Sequence, residues 1–167
     1  MHEQSVTNGV NGIMKSSVRG FVLSKEEINN IPLENFSNDP KKASGGGWKQ
    51  IFSSPDTPTD SLNIGIAHFA PCEAGQEYSE ALHRHKQAEF YYILSGQACV
   101  QIDGIKHDVR PGHALFIPGD GEHGFWNTSS TEELVFLWGF AADGFKDIVY
   151  RFTGDEEGDT WCRANHR

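Results

Sequence analysis

The chain has 167 residues, a formal net charge of −9 and 37% hydrophobic residues, which is the length of about one domain with enough apolar content for a core. Its Lys and Arg residues are scattered, with no basic stripe. This distribution excludes nucleic-acid binding and disfavours anionic membrane surfaces. We therefore expect neither a nucleic-acid partner nor a membrane partner.

The sequence also predicts a soluble, cytoplasmic protein. Its longest apolar runs, such as residues 114–117, are far too short to span a bilayer. The first fifteen residues lack the basic and then apolar pattern of a secretory signal. Cys72, Cys99 and Cys162 are odd in number and widely spaced, which argues against a disulfide framework and for a reducing compartment.

The N-terminal part of the sequence predicts a loose arm with one short helix. Residues 1–17 are polar and poor in bulky apolar groups. Ser24 and Glu27 fit the S-x-x-E capping box, and Pro32 is expected to end the helix that they begin. The run Gly45-Gly46-Gly47 reads as a flexible linker before the next element.

Beyond that linker the pattern is β throughout, and only residues 143–150 favour one or two helical turns. Short strands at such regular spacing are typical of a sandwich or barrel. Asp103-Gly104 predicts a two-residue hairpin of type I′. We divide the chain into an arm, a barrel and a polar tail, over residues 1–44, 45–152 and 153–167. The predicted strands are 48–52, 62–69, 89–94, 97–102, 105–110, 114–117, 124–127 and 133–140.

Four residues form a candidate metal site. On a strand, residues two apart face the same side, so His83 and His85 can chelate one ion together. Glu89 keeps the same parity, and a tight turn over residues 86–88 can fold its carboxylate back beside them. His123 opens a strand far along the chain. Imidazole and carboxylate ligands suit iron, manganese, nickel, cobalt, copper or zinc.

The spacing around these residues resembles the two motifs of the cupin family. Residues 83–96 read H-x-H-x3-E-x6-G, and residues 112–127 read G-x5-P-x4-H-x3-N. Fifteen residues separate the two segments, which is the short gap of microbial-type cupins. Two motif glycines are replaced, one by Glu77 and one by Asp120. The resemblance covers roughly residues 62–140.

This resemblance implies an all-β fold, a double-stranded β-helix or jelly-roll barrel with short flanking helices. It further implies one divalent transition metal per chain in the barrel mouth, with Fe(II) as first choice and Mn, Ni, Co, Cu and Zn as alternatives. The implied ligands are His83, His85, Glu89 and His123. Four protein ligands on a six-coordinate ion leave neighbouring positions for water, dioxygen or a chelating substrate.

Strand alternation identifies further candidates around the metal. Counting from Glu89 puts Tyr91 on the metal face and Phe90 and Tyr92 on the outer face. A phenol close to a divalent cation can act as a general base, so Tyr91 is the first catalytic candidate. His68 is the second. Aromatic residues on the outer face would leave an apolar patch, so we expect a homodimer.

Three functions agree with these motifs. The first is a mononuclear non-haem dioxygenase that acts on a small organic substrate. The second is a non-redox lyase or isomerase, in which the metal is a Lewis acid and Tyr91 the base. The third is a non-catalytic cupin that binds a small molecule. The barrel resembles both small cupin dioxygenases and the cupin lyases that cleave dimethylsulfoniopropionate, and the motifs do not choose between them.

Overall fold

The computed structural model describes residues 17–36, 39, 41–72 and 79–156. This part of the chain contains one short helix, ten strands and a 3₁₀ turn at Phe145–Asp147. The elements in chain order are α1 (Lys25–Asn30), β1 (Gly46–Phe52), β2 (Asn63–Phe69), β3 (Glu80–Arg84), β4 (Glu89–Ser95), β5 (Ala98–Ile102), β6 (Ile105–Val109), β7 (Ala114–Ile117), β8 (His123–Asn127), β9 (Leu134–Phe140) and β10 (Arg151–Phe152).

The strands form two five-stranded antiparallel sheets, as expected for a jelly-roll barrel. One sheet has the order β1-β2-β9-β4-β7 and the other β10-β3-β8-β5-β6. Alternate side chains of these strands point into one aromatic-rich core. In β4, for example, Tyr91 and Ile93 are buried, whereas Phe90 and Tyr92 are exposed. The predicted fold class is therefore confirmed. None of the helices in the described ranges is long and apolar enough to cross a membrane.

Two local predictions are confirmed by backbone geometry. The Ser24 hydroxyl accepts a hydrogen bond from the Glu27 amide, and the Glu27 carboxylate accepts one from the Ser24 amide at 2.7 Å, which completes the capping box. Asp103 and Gly104 have φ angles of 46° and 80° between the paired strands β5 and β6. Positive φ at both central residues is the signature of a type I′ turn.

The prediction that Gly45-Gly46-Gly47 is a flexible linker is wrong. Gly46 and Gly47 are the first residues of β1 and pair with β2. A Cβ atom on Gly46 would lie 2.1 Å from the His68 carbonyl oxygen, and one on Gly47 would lie 2.0 Å from the Glu34 carbonyl oxygen. These glycines therefore allow the backbones on both sides of β1 to approach closely.

The segment after α1 also belongs to the barrel packing. Glu34 bridges to Trp48 on β1, and Ala43 bridges to Glu80 on β3. The Phe36 ring is 1% exposed and lies 4.8 Å from the Trp48 ring, centroid to centroid. Residues 1–16, 37, 38 and 40 of the predicted arm and residues 157–167 of the predicted tail lie outside the described residues, as does Cys162.

Two further differences from the predicted elements lie after β9. The helical turns expected over residues 143–150 reduce to the 3₁₀ turn at Phe145–Asp147, and the chain then adds β10 beside β3. At the replaced motif glycine, Asp120 has a φ of 59°, a left-handed conformation that aspartate tolerates better than most residues. Glu77 lies outside the described residues.

Candidate metal centre

Three histidines converge inside the barrel. His83 on β3 is the cross-strand partner of His123 on β8, and His85 directly follows the end of β3. All three side chains are at most 1% exposed. One ring nitrogen of each lies within 4.8 Å of the others, which is close enough for a single metal ion.

The outward ring nitrogen of each histidine is held by the backbone. Because a carbonyl oxygen only accepts hydrogen bonds, each Nδ1 must carry the proton and each Nε2 keeps its lone pair for a ligand. The accepting carbonyls are those of Ala81, Gln87 and Gly121, at 2.8, 2.9 and 2.9 Å from Nδ1 of His83, His85 and His123, respectively.

The Glu89 carboxylate lies beside two of these nitrogens and adds an oxygen donor. Its Oε2 atom lies 3.2 Å from Nε2 of His85 and 3.1 Å from Nε2 of His123. Nε2 of His83 is buried without a hydrogen-bond partner among the described residues. Lone pairs that face one another in this way repel unless a proton or a cation lies between them. The donor set therefore fits a divalent transition metal.

The protonation states also suit metal binding. Burial, reinforced by the neighbouring His123 and His85, holds the pKa of His83 well below its usual value, so this imidazole stays neutral. Burial alone would raise the pKa of Glu89, but contacts with His123 and His85 outweigh burial and bring this pKa below its usual value. A neutral imidazole and an ionised carboxylate are the forms in which these side chains coordinate metals.

A cavity with an empty volume of about 290 Å³, open solvent included, lies beside these residues. Glu89, Tyr91 and Tyr150 line it, and seven of the ten described lining residues are aromatic. The lining therefore offers mainly ring faces, with two carboxyl groups among them, to whatever enters.

The structure places Tyr91 where strand alternation predicts it. The side chain is 3% exposed and lines the cavity together with Glu89. Burial, and then the negative charges of Glu89 and Glu80, raise the pKa of this phenol well above its usual value. On the opposite face, Phe90 and Tyr92 are 37% and 42% exposed.

The structure does not bring His68, the second catalytic candidate, to this site. Its neighbours on β2, Ala67 and Phe69, line the cavity, so the His68 side chain points to the other face of the sheet. There its Nδ1 atom lies 3.6 Å from a carboxylate oxygen of Glu133. His68 is therefore not part of the candidate catalytic site.

Two polar residues of the cavity, Tyr150 and Glu80, were missed by sequence reasoning. Tyr150 follows the 3₁₀ turn, and its ring lies 4.8 Å from the His83 ring and 5.4 Å from the His85 ring, centroid to centroid. It lies outside both motifs and outside any regular strand pattern, so no sequence signal indicated it. Burial, and then Glu89 and Glu80, raise the pKa of this second phenol as well.

Glu80 was missed because a β-bulge changes the parity of β3. Glu80 and His83 are three residues apart, and alternation alone would put them on opposite faces. Their partners on β8, Phe125 and His123, are only two apart, so the register shifts between them. This bulge turns both side chains inward, and Glu80 is only 8% exposed. The sequence signal that could have indicated this position is an acidic residue three positions before the first histidine of H-x-H.

Comparison with known proteins gives three informative matches. The Cupin domain family matches residues 72–140. The dimethylsulfoniopropionate lyase DddW of Ruegeria pomeroyi is 38% identical over 127 residues, which are 76% of this chain and 78% of that protein. Protein SchB of Streptomyces halstedii is 33% identical over 101 residues, which are 60% of this chain and 70% of that protein.

A solved structure supports the fold over a longer stretch. The polyketide cyclase RemF from Streptomyces resistomycificus superposes with a TM-score of 0.62 and covers 81% of this chain and 89% of its own. At 19% identity this likeness concerns the barrel alone.

Proposed function

Because the chain belongs to the cupin family, we propose that it is a metal-dependent lyase that cleaves a small sulfonium carboxylate such as dimethylsulfoniopropionate. The observation that carries this proposal is the position of Tyr91, a buried phenol that lines an aromatic cavity together with Glu89, beside the histidines. The similarity to DddW supports the same reaction class.

In this proposal one divalent transition metal binds to His83, His85, Glu89 and His123. The inward Nε2 atoms and the adjacent Glu89 carboxylate support this ligand set. When bound, the ion supplies positive charge that holds the substrate carboxylate and lowers the pKa of a neighbouring phenol. Fe(II) remains the first choice, and metal analysis of the purified protein decides the identity.

Tyr91 is the proposed general base. Its phenolate oxygen accepts a proton from the carbon next to the substrate carboxylate. The electron pair of that C–H bond forms the C=C bond, and the C–S bond breaks toward sulfur. The products are an unsaturated carboxylate and a neutral sulfide, so charge and electrons balance without an oxidant. Because burial raises the phenol pKa, base activity depends on positive charge at the centre.

The cavity walls have a separate role in this reaction. Trp48, Trp138 and Phe145 lie in ring contact, with centroids 5.3 to 5.4 Å apart for the pairs that include Phe145. All three line the cavity. Such walls exclude water from the base and present ring faces to a cationic sulfur.

The motifs leave a dioxygenase open, and the dependence of turnover on oxygen distinguishes a dioxygenase from a lyase. An elimination consumes no dioxygen, whereas a dioxygenase stops without it. The similarity to a lyase, with a phenol beside the centre, favours elimination over oxygenation. An isomerase would keep the sulfur in its product, and a non-catalytic cupin would bind the substrate and release it unchanged.

The test is to incubate metal-loaded protein with dimethylsulfoniopropionate in air and under an oxygen-free atmosphere. Volatile sulfide in the headspace is measured by gas chromatography, and the unsaturated carboxylate by liquid chromatography. We expect equal rates in both atmospheres and equal amounts of the two products. Turnover that stops without oxygen, or loaded protein that releases no sulfide, would contradict the proposal.

A further inference from the structure

The bulge in β3 buries a carboxylate that the proposed reaction does not yet use. The Glu80 side chain lines the cavity together with Glu89, Tyr91 and Tyr150. One of its oxygens lies 3.7 Å from Nε2 of His83, the nitrogen that faces the metal centre. None of the ion pairs in the described ranges gives Glu80 a lysine or arginine partner.

A purely structural role does not account for this arrangement. The bulge interrupts the ladder between β3 and β8 and moves a charged residue from the outer face to the interior. Burial of a carboxyl group without a lysine or arginine partner is unfavourable, and Glu80 is only 8% exposed. A partly buried apolar residue would fill the same space without this penalty.

The surroundings of Glu80 attract one chemical class of ligand. The faces of aromatic rings carry partial negative charge, so they attract cations. Glu80 adds a carboxyl group, whose ionised form a bound cation stabilises, to a cavity with seven aromatic residues among its ten described lining residues. Aromatic rings offer no hydrogen-bond acceptors of ordinary strength. A cation without N–H donors therefore gives up few hydrogen bonds when it leaves water and enters the cavity. Sulfonium and quaternary ammonium groups have these properties.

We propose that Glu80 and the aromatic walls of the cavity form the subsite for the onium end of the substrate, and that Glu80 determines specificity for a cationic over a neutral substrate. The inference rests on the proposed function, because the carboxylate end of the same substrate must lie at the metal centre. Glu80 is a specificity residue in this account, whereas Tyr91 moves the proton.

The test compares two ligands that differ only in charge. These are 3-(trimethylammonio)propanoate and 4,4-dimethylpentanoate, in which a carbon atom replaces the quaternary nitrogen. Both present the same carboxylate, and neither carries a sulfonium leaving group. Calorimetric binding to metal-loaded protein is measured for the natural chain, for Glu80→Gln and for Glu133→Gln. Glu133 is a matched control, because its carboxylate contacts His68 on the outer face.

We expect the natural chain and Glu133→Gln to bind the ammonium ligand at least about tenfold more tightly than its neutral isostere. Glu80→Gln should reduce that preference about tenfold or more, because truncation of one partner of a buried charge pair is costly. Its metal content should be unchanged. Glu80→Asp keeps the charge and should retain part of the preference, which covers the case of a poorly folded glutamine variant.

The outcomes separate this inference from the proposed function. Equal affinities of the natural chain for the two ligands, or an unchanged preference in Glu80→Gln, would overturn the onium subsite. Loss of metal from Glu80→Gln would also overturn it, because Glu80 would then be a metal ligand. A charge preference in a protein that releases no sulfide would leave the subsite intact and reject only the lyase reaction. If sulfide is released and Glu80→Gln changes neither its rate nor the charge preference, the lyase reaction stands and only the onium subsite is rejected.

Discussion

Replacement of Tyr91 by phenylalanine removes the proposed base and leaves its ring in place. The Tyr91 ring packs 4.6 Å from the Phe136 ring, centroid to centroid, and the side chain is 3% exposed, so the hydrophobic contacts survive. The lost group is one buried hydroxyl in the cavity that Glu89 also lines. Removal of a single buried hydroxyl changes the free energy of unfolding by about 1 kcal/mol, which for a chain of this length shifts Tm by about 2–4 °C.

The effect on catalysis should be larger than the effect on folding. Loss of a general base lowers turnover about 10²–10⁴-fold, which corresponds to about 3–5 kcal/mol in activation free energy. The metal content should not change, since the four proposed ligands are intact. The assay is initial-rate sulfide release by metal-loaded protein at several substrate concentrations, with the metal measured on the same samples.

Tyr92→Phe is the matched control. It removes the same hydroxyl from the next residue of β4, which is 42% exposed on the outer face. Turnover of Tyr92→Phe should equal that of the natural chain. If Tyr91→Phe keeps more than a tenth of the natural kcat, the reasoning that identifies Tyr91 as the base is refuted, and Tyr150 becomes the next candidate.

Three further predictions concern the metal, the buried carboxyl and the outer face. His123→Ala should lose most bound metal, because its metal affinity should fall at least about 10–100-fold. The control His107→Ala, on the exposed face of β6, should retain its metal. Equal metal occupancy of the two variants by elemental analysis would contradict the ligand assignment. Burial raises the pKa of Glu80 in the folded state, so the folded protein loses stability as the pH rises above the pKa of this group in the unfolded chain. Glu80→Gln removes this loss. Thermal melts of the metal-free proteins should therefore show that the stability gain of Glu80→Gln over the natural chain grows from pH 4 to pH 8. Phe116 is 71% exposed beside Phe90 on the outer face, so we expect light scattering to find a dimer. Phe116→Lys should weaken this dimer. A monomeric natural chain at high concentration would contradict the prediction.

The sequence is most informative where local periodicity decides the structure. His83 and His85 share a face because strand side chains alternate, and Tyr91 follows Glu89 inward for the same reason. Asp103-Gly104 forms its turn because few residue pairs accept positive φ at both positions. In each case the information lies within a few residues of the chain.

Prediction fails where a distant contact decides the structure. The inward turn of Glu80 depends on a bulge against β8, which no pattern within β3 reveals. Tyr150 reaches the site from a segment after the last long strand, and Gly46 is required by the approach of the β2 backbone. His68 belongs to a strand with apolar residues on both faces, so its sequence did not indicate which face is inward.

The most direct test of the central claim is a metal titration of chelator-stripped protein without oxygen. Sulfide release from dimethylsulfoniopropionate is measured as Fe(II), Mn(II) and Zn(II) are each added in steps. The proposed centre on His83, His85, Glu89 and His123 predicts that, for at least one of these ions, activity rises linearly to one equivalent per chain and then stays constant. Full activity in the stripped protein, or activity that appears only when air is admitted, would contradict a metal-dependent elimination at this centre.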